Sequence, residues 1–138
     1  MNREDLPSVL CVDDERRVVE GLALHLRRYY QVLTAIGAHS ALEILMDKGA
    51  QAVIVSDMRM PGIDGGELLK RVQQLYPDMT RILLTGEPGR DAASSAIDEG
   101  QVFRYLTKPC PPDQLLAAVA AGVSHHRSLV AARLSKTP

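Results

Sequence analysis

Five side chains carry most of the chemistry this sequence offers: Asp13, Asp14, Asp57, Thr85 and Lys108. Each follows a short apolar run. The first run ends in Asp13-Asp14-Glu15, the third in Ser56-Asp57, the fourth in Thr85-Gly86 and the fifth in Thr107-Lys108-Pro109. In open α/β sheets, ligands bind beyond the carboxyl ends of the strands, where the strand order reverses. If the runs are parallel strands, folding gathers three carboxylates, a hydroxyl and an ammonium at one edge. Carboxylates about 5 Å apart repel by a few kcal/mol per pair at an effective dielectric near 20. That repulsion is tolerable if a hard divalent cation binds among them. Mg²⁺ takes oxygen ligands, keeps several waters and commonly works with phosphates. A carboxylate beside such a cation, a lysine and a hydroxyl is equipped to attack a phosphoryl group and become an acyl phosphate. The positive charges then neutralise the transferring group's oxygens. Taken singly, each residue has a plainer reading as a helix cap, a strand-end hydroxyl or a solvated lysine. Their joint occurrence at successive strand ends favours one shared site.

The elements that must position these residues are legible in the hydrophobic pattern. Apolar runs occupy residues 9–12, 30–35, 52–55, 81–84 and 102–106. The first, third and fourth are apolar at nearly every position, which fits strands covered on both faces rather than one wet face. Helical patterns lie between them. Residues 15–29 place Val18, Leu22 and Leu26 on one stripe with Val19 and Ala23 beside it. Residues 40–48 begin with Ser40 and Glu43 at capping-box spacing. Residues 65–76 follow Asp64 with Glu67 in the same relation, offer Leu68, Leu69, Val72 and Leu75 for burial, and stop before Pro77. Residues 90–99 are rich in Ala and Ser, and form the weakest-anchored helix. The last helix starts near Pro111 and extends toward Leu134. Five strand-then-helix units predict an α/β fold, a doubly wound (βα)5 parallel sheet.

Composition narrows the function classes. The 138 residues suit one domain, and 46% hydrophobic content argues against disorder. A formal charge of −1 supplies no broad basic field for direct nucleic-acid binding. No uninterrupted apolar run reaches about 18 residues, and the polar start MNREDLPS carries no secretion signal. Cys11 and Cys110 lie far apart, so a reducing cytoplasm is the expected setting. His25, His39, His125 and His126 form no ligand set and read as surface residues. Neither a P-loop nor G-x-G-x-x-G follows a strand, which disfavours nucleotide binding.

The motifs VLCVDDE at 9–15, VSDMRMPGIDG at 55–65, LLTG at 83–86 and YLTKP at 105–109 resemble the receiver domain of two-component response regulators. The resemblance covers about residues 7–123, with 124–138 as an extension of the last helix and a possible truncated linker. It implies a flavodoxin-like sheet of order 2-1-3-4-5. It implies that Asp57 accepts a phosphoryl group from the phosphohistidine of a sensor histidine kinase or phosphotransfer protein. Asp14 and Asp57 would ligate Mg²⁺ with the Arg59 carbonyl, and Asp13 would act through water. Lys108 would bind phosphate, Thr85 would be the switch hydroxyl, and Tyr105 the aromatic that turns inward with it. A cis Lys108–Pro109 bond is implied as well. The surface of the fourth helix, fifth strand and fifth helix would then signal to a downstream output domain or protein. Arg59 and Glu87 stand where the family varies, and are the expected tuners of phosphoryl lifetime.

The pairing of DMRMP at 57–61 with YLTKPC at 105–110 looks like receivers fused to HD-type cyclic-di-GMP phosphodiesterases, and implies a frame continuing past Pro138. A phosphate-independent binding module and a Mg²⁺-dependent aspartyl-phosphate phosphatase are the competing classes. Intact Asp13, Asp14, Thr85 and Lys108 speak against the first. The lack of a cap domain speaks against the second. Leu116, Val119, Val123, Val130 and Leu134 make a broken near-heptad stripe, expected to be mostly core. That leaves a monomer or a phosphorylation-dependent homodimer.

Overall fold

A computed structural model describes residues 2–92 and 101–136. Five strands, β1 (Ser8–Asp13), β2 (Gln31–Ile36), β3 (Val53–Asp57), β4 (Thr80–Thr85) and β5 (Arg104–Thr107), form one sheet of order β2-β1-β3-β4-β5. All four pairings are parallel. Helices α1 (Arg16–Leu26), α2 (Ala38–Lys48), α3 (Gly65–Leu75), α4 (Pro88–Ala92) and α5 (Pro112–Ser135) complete the series. The doubly wound (βα)5 expectation, including its strand order, is met.

Alternation along the buried strands divides the core in two, because successive side chains point to opposite faces. Leu10, Val12, Ile54 and Leu83 meet Ala41 and Leu45 of α2 and Leu68, Leu69 and Val72 of α3. Val9, Cys11, Val53, Val55, Ile82 and Leu84 meet Leu22 and Leu26 of α1 and Leu115, Ala118, Val119 and Val123 of α5. This is why runs one, three and four are apolar at every position but Arg81. Both their faces are covered, whereas edge strands β2 and β5 keep wetter positions.

Three local readings need correction. Helix α2 starts at Ala38, two residues before Ser40, because Gly37 at φ +89° turns the chain out of β2. Ser40 therefore lies inside the first turn, and Glu43 pairs with His39 at 2.6 Å instead of closing a capping box. Leu75 is 60% exposed, since α3 buries Leu68, Leu69 and Val72 and its last turn lifts from the sheet. Helix α1 ends at Leu26, and the Arg3 guanidinium donates to the carbonyls of Arg27 and Tyr30 beyond it. The cap of α3 is as expected: Asp64 accepts from the Glu67 N–H at 2.9 Å. The weakly anchored helix expected over 90–99 lies mostly outside the described residues.

Helix α5 is long and apolar enough by length and composition to span a membrane. Here Leu115, Ala118, Val119, Gly122 and Val123 are buried against the sheet, which accounts for the apolar stripe of its first half. Of the near-heptad stripe, Val119 and Val123 are core, while Leu134 is exposed. The extension is tied down at Asp78: the His126 Nδ1–H donates to its carbonyl at 2.7 Å, and Arg133 holds its carboxylate at 2.7 and 2.9 Å.

Candidate functional site

The carboxyl ends of β1, β3, β4 and β5 converge. Asp13 closes β1 and is fully buried; Asp57 closes β3 and is nearly so; Asp14 is exposed at the rim. One carboxylate oxygen from each of the three lies within 4.8 Å of the others. Lys108, just past β5, reaches into the cluster. Its Nζ stands 3.0 Å from Asp57 Oδ1 and 3.5 Å from Asp13 Oδ2. The Lys108 N–H donates to the Thr85 carbonyl at 2.9 Å, which anchors the start of this reach at the end of β4. The Lys108–Pro109 bond is cis, as the resemblance implied.

Electrostatics follow from burial and crowding. Burial pushes the Asp13 carboxyl up to about 6; the Glu15 N–H pulls it down, the Asp57 charge raises it and Lys108 lowers it. Burial alone would depress the Lys108 ammonium, but its hydrogen bond to Asp57 and the charges of Asp57 and Asp13 outweigh this and raise it. The donor set is oxygen-only, partly buried and rich in negative charge. That chemistry fits a hard divalent cation such as Mg²⁺ held by Asp13, Asp14 and Asp57.

The other end of the site departs from expectation. Arg59, an expected tuner of phosphoryl lifetime, places its guanidinium away from the acidic pair, 3.5 Å from Asp91 Oδ1. Thr85 is buried at the end of β4. Its hydroxyl donates to Asp91 Oδ2 and accepts from the Glu87 N–H at 3.0 Å. The Glu87 side chain faces away, pairing with Arg90 at 3.0 Å. Tyr105 is half-buried, and its phenol pKa is raised by burial and by the Asp91 charge. Asp91, 3% exposed, was missed in the sequence. It lies in an Ala/Ser-rich helical pattern where an acidic residue is unremarkable. Only α4 folding back over the end of β4 brings it to Thr85.

The pocket also depends on the glycine that opens α3. Gly65 opens α3 so close to β3 that a Cβ there would stand 2.2 Å from the Asp57 carbonyl oxygen.

The response regulator receiver domain family model matches residues 9–120. The hydrogenase transcriptional regulatory protein HoxA of Cupriavidus necator is 34% identical over 116 residues, 84% of this chain and 24% of that protein. The DNA-binding transcriptional regulator NtrC of Escherichia coli is 42% identical over 86 residues, 62% of this chain and 18% of that protein. The chain thus spans about a quarter or less of the curated relatives it matches. A solved structure of adenylate cyclase from Rhodopirellula baltica superposes with TM-score 0.87 at 32% identity, covering 96% of this chain and 99% of that one. The signal receiver domain of an HD domain-containing protein from Pseudomonas fluorescens gives 0.80 at 35%, covering 89% and 98%. On the sheet order, the convergent acidic cluster and these matches, the chain belongs to the response regulator receiver domain family, the phosphorylation-activated switches of two-component signalling.

Proposed function

We propose that Asp57 is the phosphoacceptor, with a histidine kinase or phosphotransfer protein as donor. A carboxylate oxygen of Asp57 attacks the phosphorus of phosphohistidine; the new O–P bond forms, the P–N bond breaks and the imidazole leaves with the electron pair. Lys108 orients the Asp57 carboxylate beforehand through its 3.0 Å contact and then binds the phosphoryl oxygens. Asp14, Asp57 and the Arg59 carbonyl would hold Mg²⁺, with Asp13 acting through water. Bound there, the ion supplies charge neutralisation for the incoming phosphoryl group. Thr85 and Tyr105 transmit the change to the surface around α4, β5 and α5. Arg59 and Glu87 tune how long the acyl phosphate lasts, Arg59 from its seat on Asp91 and Glu87 from its place two residues past Thr85.

The matched relatives carry different outputs by name, a transcriptional regulator, an adenylate cyclase and an HD domain-containing protein. The output of this chain is therefore assigned to whatever its last helix joins. Residues 124–138 serve as that connection, with His126 and Arg133 fixing its direction through Asp78.

The observation that carries the reading is the Lys108 ammonium lodged between Asp57 and Asp13 inside a three-carboxylate cluster. Incubation with Mg²⁺ and acetyl phosphate, followed by intact mass, tests it. The expected result is a gain of one phosphoryl group that Asp57→Asn abolishes. Retention of the gain in Asp57→Asn would refute the assignment.

A further inference from the structure

The switch hydroxyl is already spoken for. A threonine hydroxyl has one proton to give. In this chain Thr85 gives it to Asp91 Oδ2, while its oxygen accepts from the Glu87 N–H. Both partners are buried, Thr85 at 1% and Asp91 at 3% exposure, so water does not compete freely for either. A hydrogen bond to a buried carboxylate is among the stronger ones a hydroxyl makes. In the β3–β4 register Asp57 lies opposite Leu84, so Thr85 stands one step beyond the acceptor on the neighbouring strand. A phosphoryl group on Asp57 and the carboxylate of Asp91 therefore appeal to the same proton.

We infer that Asp91 is an internal competitor for the switch hydroxyl, a positioning residue that sets how readily the phosphorylated state forms its Thr85 contact. To engage a phosphoryl oxygen, Thr85 must leave Asp91. The carboxylate left behind is not stranded, because the Arg59 guanidinium stands 3.5 Å from its other oxygen. Arg59 comes from the loop that follows Asp57, so the same ion pair ties the acceptor loop to α4. Release of Thr85 thus loosens the hold of α4 on β4 and leaves α4 attached to the loop beyond Asp57. Burial, and after it the Asp91 charge, raise the pKa of the half-buried Tyr105 phenol. The inference rests on the reading of Asp57 as phosphoacceptor, and the experiment separates the two.

The full chain is titrated with beryllofluoride in Mg²⁺, following amide resonances of β4 and β5. The wild type, Asp91→Ala, Thr85→Val and the double variant are compared. Removing a charged competitor from one hydroxyl is worth about tenfold or more in affinity, so Asp91→Ala should bind that much tighter. In the Thr85→Val background Asp91→Ala should change affinity by no more than about twofold, because no proton remains to compete for. Asp91→Asn, nearly isosteric, guards against a collapsed α4 and should fall between wild type and Ala. An Asp91→Ala or Asp91→Asn affinity equal to or weaker than wild type overturns the latch. So does an equal gain in the Thr85→Val background, which would trace the effect to bulk charge. A wild type that takes up no beryllofluoride overturns the Asp57 reading, and the latch with it.

Discussion

Replacing Gly65 by alanine tests the claim that backbone packing places the acceptor. The new Cβ would stand 2.2 Å from the Asp57 carbonyl oxygen, 2.9 Å from its carbonyl carbon and 2.9 Å from Leu83 Cδ1. The Leu83 methyl can rotate away. The Asp57 main chain cannot, because it belongs to β3, inserted between β1 and β4. An ordinary carbon–oxygen contact needs about 3.3–3.6 Å, so helix and strand must part by about 1 Å. Overpacking of this kind costs about 1–3 kcal/mol, and a rigid backbone neighbour puts Gly65→Ala at the upper end. At this chain length about 3 kcal/mol lowers Tm by roughly 10 °C. The same shift spoils the 3.0 Å Lys108–Asp57 contact. A misplacement of about 1 Å can lower a rate about 100-fold. Gly21→Ala is the internal control. Gly21 lies within α1, has no atom within 4 Å of a built Cβ and no positive φ. There the same substitution should stabilise by about 0.5–1 kcal/mol. Urea unfolding gives the stabilities, and intact-mass kinetics with acetyl phosphate give the rates. A Gly65→Ala protein as stable and as quickly phosphorylated as wild type would refute the reasoning.

Two more outcomes follow from the same geometry. With a chelator present, stability should fall as pH rises through about 6, because the folded state binds the Asp13 proton more tightly than the unfolded chain does. The contribution is full below the ordinary carboxylate pKa and gone above about 6. Asp13→Asn should flatten that slope and raise stability at neutral pH by on the order of 1–2 kcal/mol, measured by urea unfolding across pH; an unchanged slope would locate the strain elsewhere. Arg59→Asn removes the cation from Asp91 and should change the decay rate of the phosphorylated chain severalfold, followed by intact mass after donor removal. An unaltered decay would take Arg59 out of the account.

The linear order of residues determined the architecture. Runs at 9–12, 52–55 and 81–84 are apolar at every position but Arg81 because their strands are covered on both faces, and that pattern is local enough to read directly. Once the sheet is parallel, every strand-end residue lands on one edge, so Asp13, Asp57, Thr85 and Lys108 were legible as a group. Helix starts were less so. Ser40 and Glu43 mimic a capping box, but the positive φ of Gly37 begins α2 earlier. Partners across the chain belonged to the tertiary structure alone. Lys108 meets Asp57 across 51 positions, Arg59 meets Asp91 across 32, and Gly65 admits no side chain because β3 passes beneath it. Thr85 could be recognised as a hydroxyl at a strand end, yet which group takes its proton depends on how α4 closes over β4. Hydrophobic periodicity is a property of neighbours along the chain; the choice among competing acceptors is a matter of ångströms between elements, and only packing fixes those.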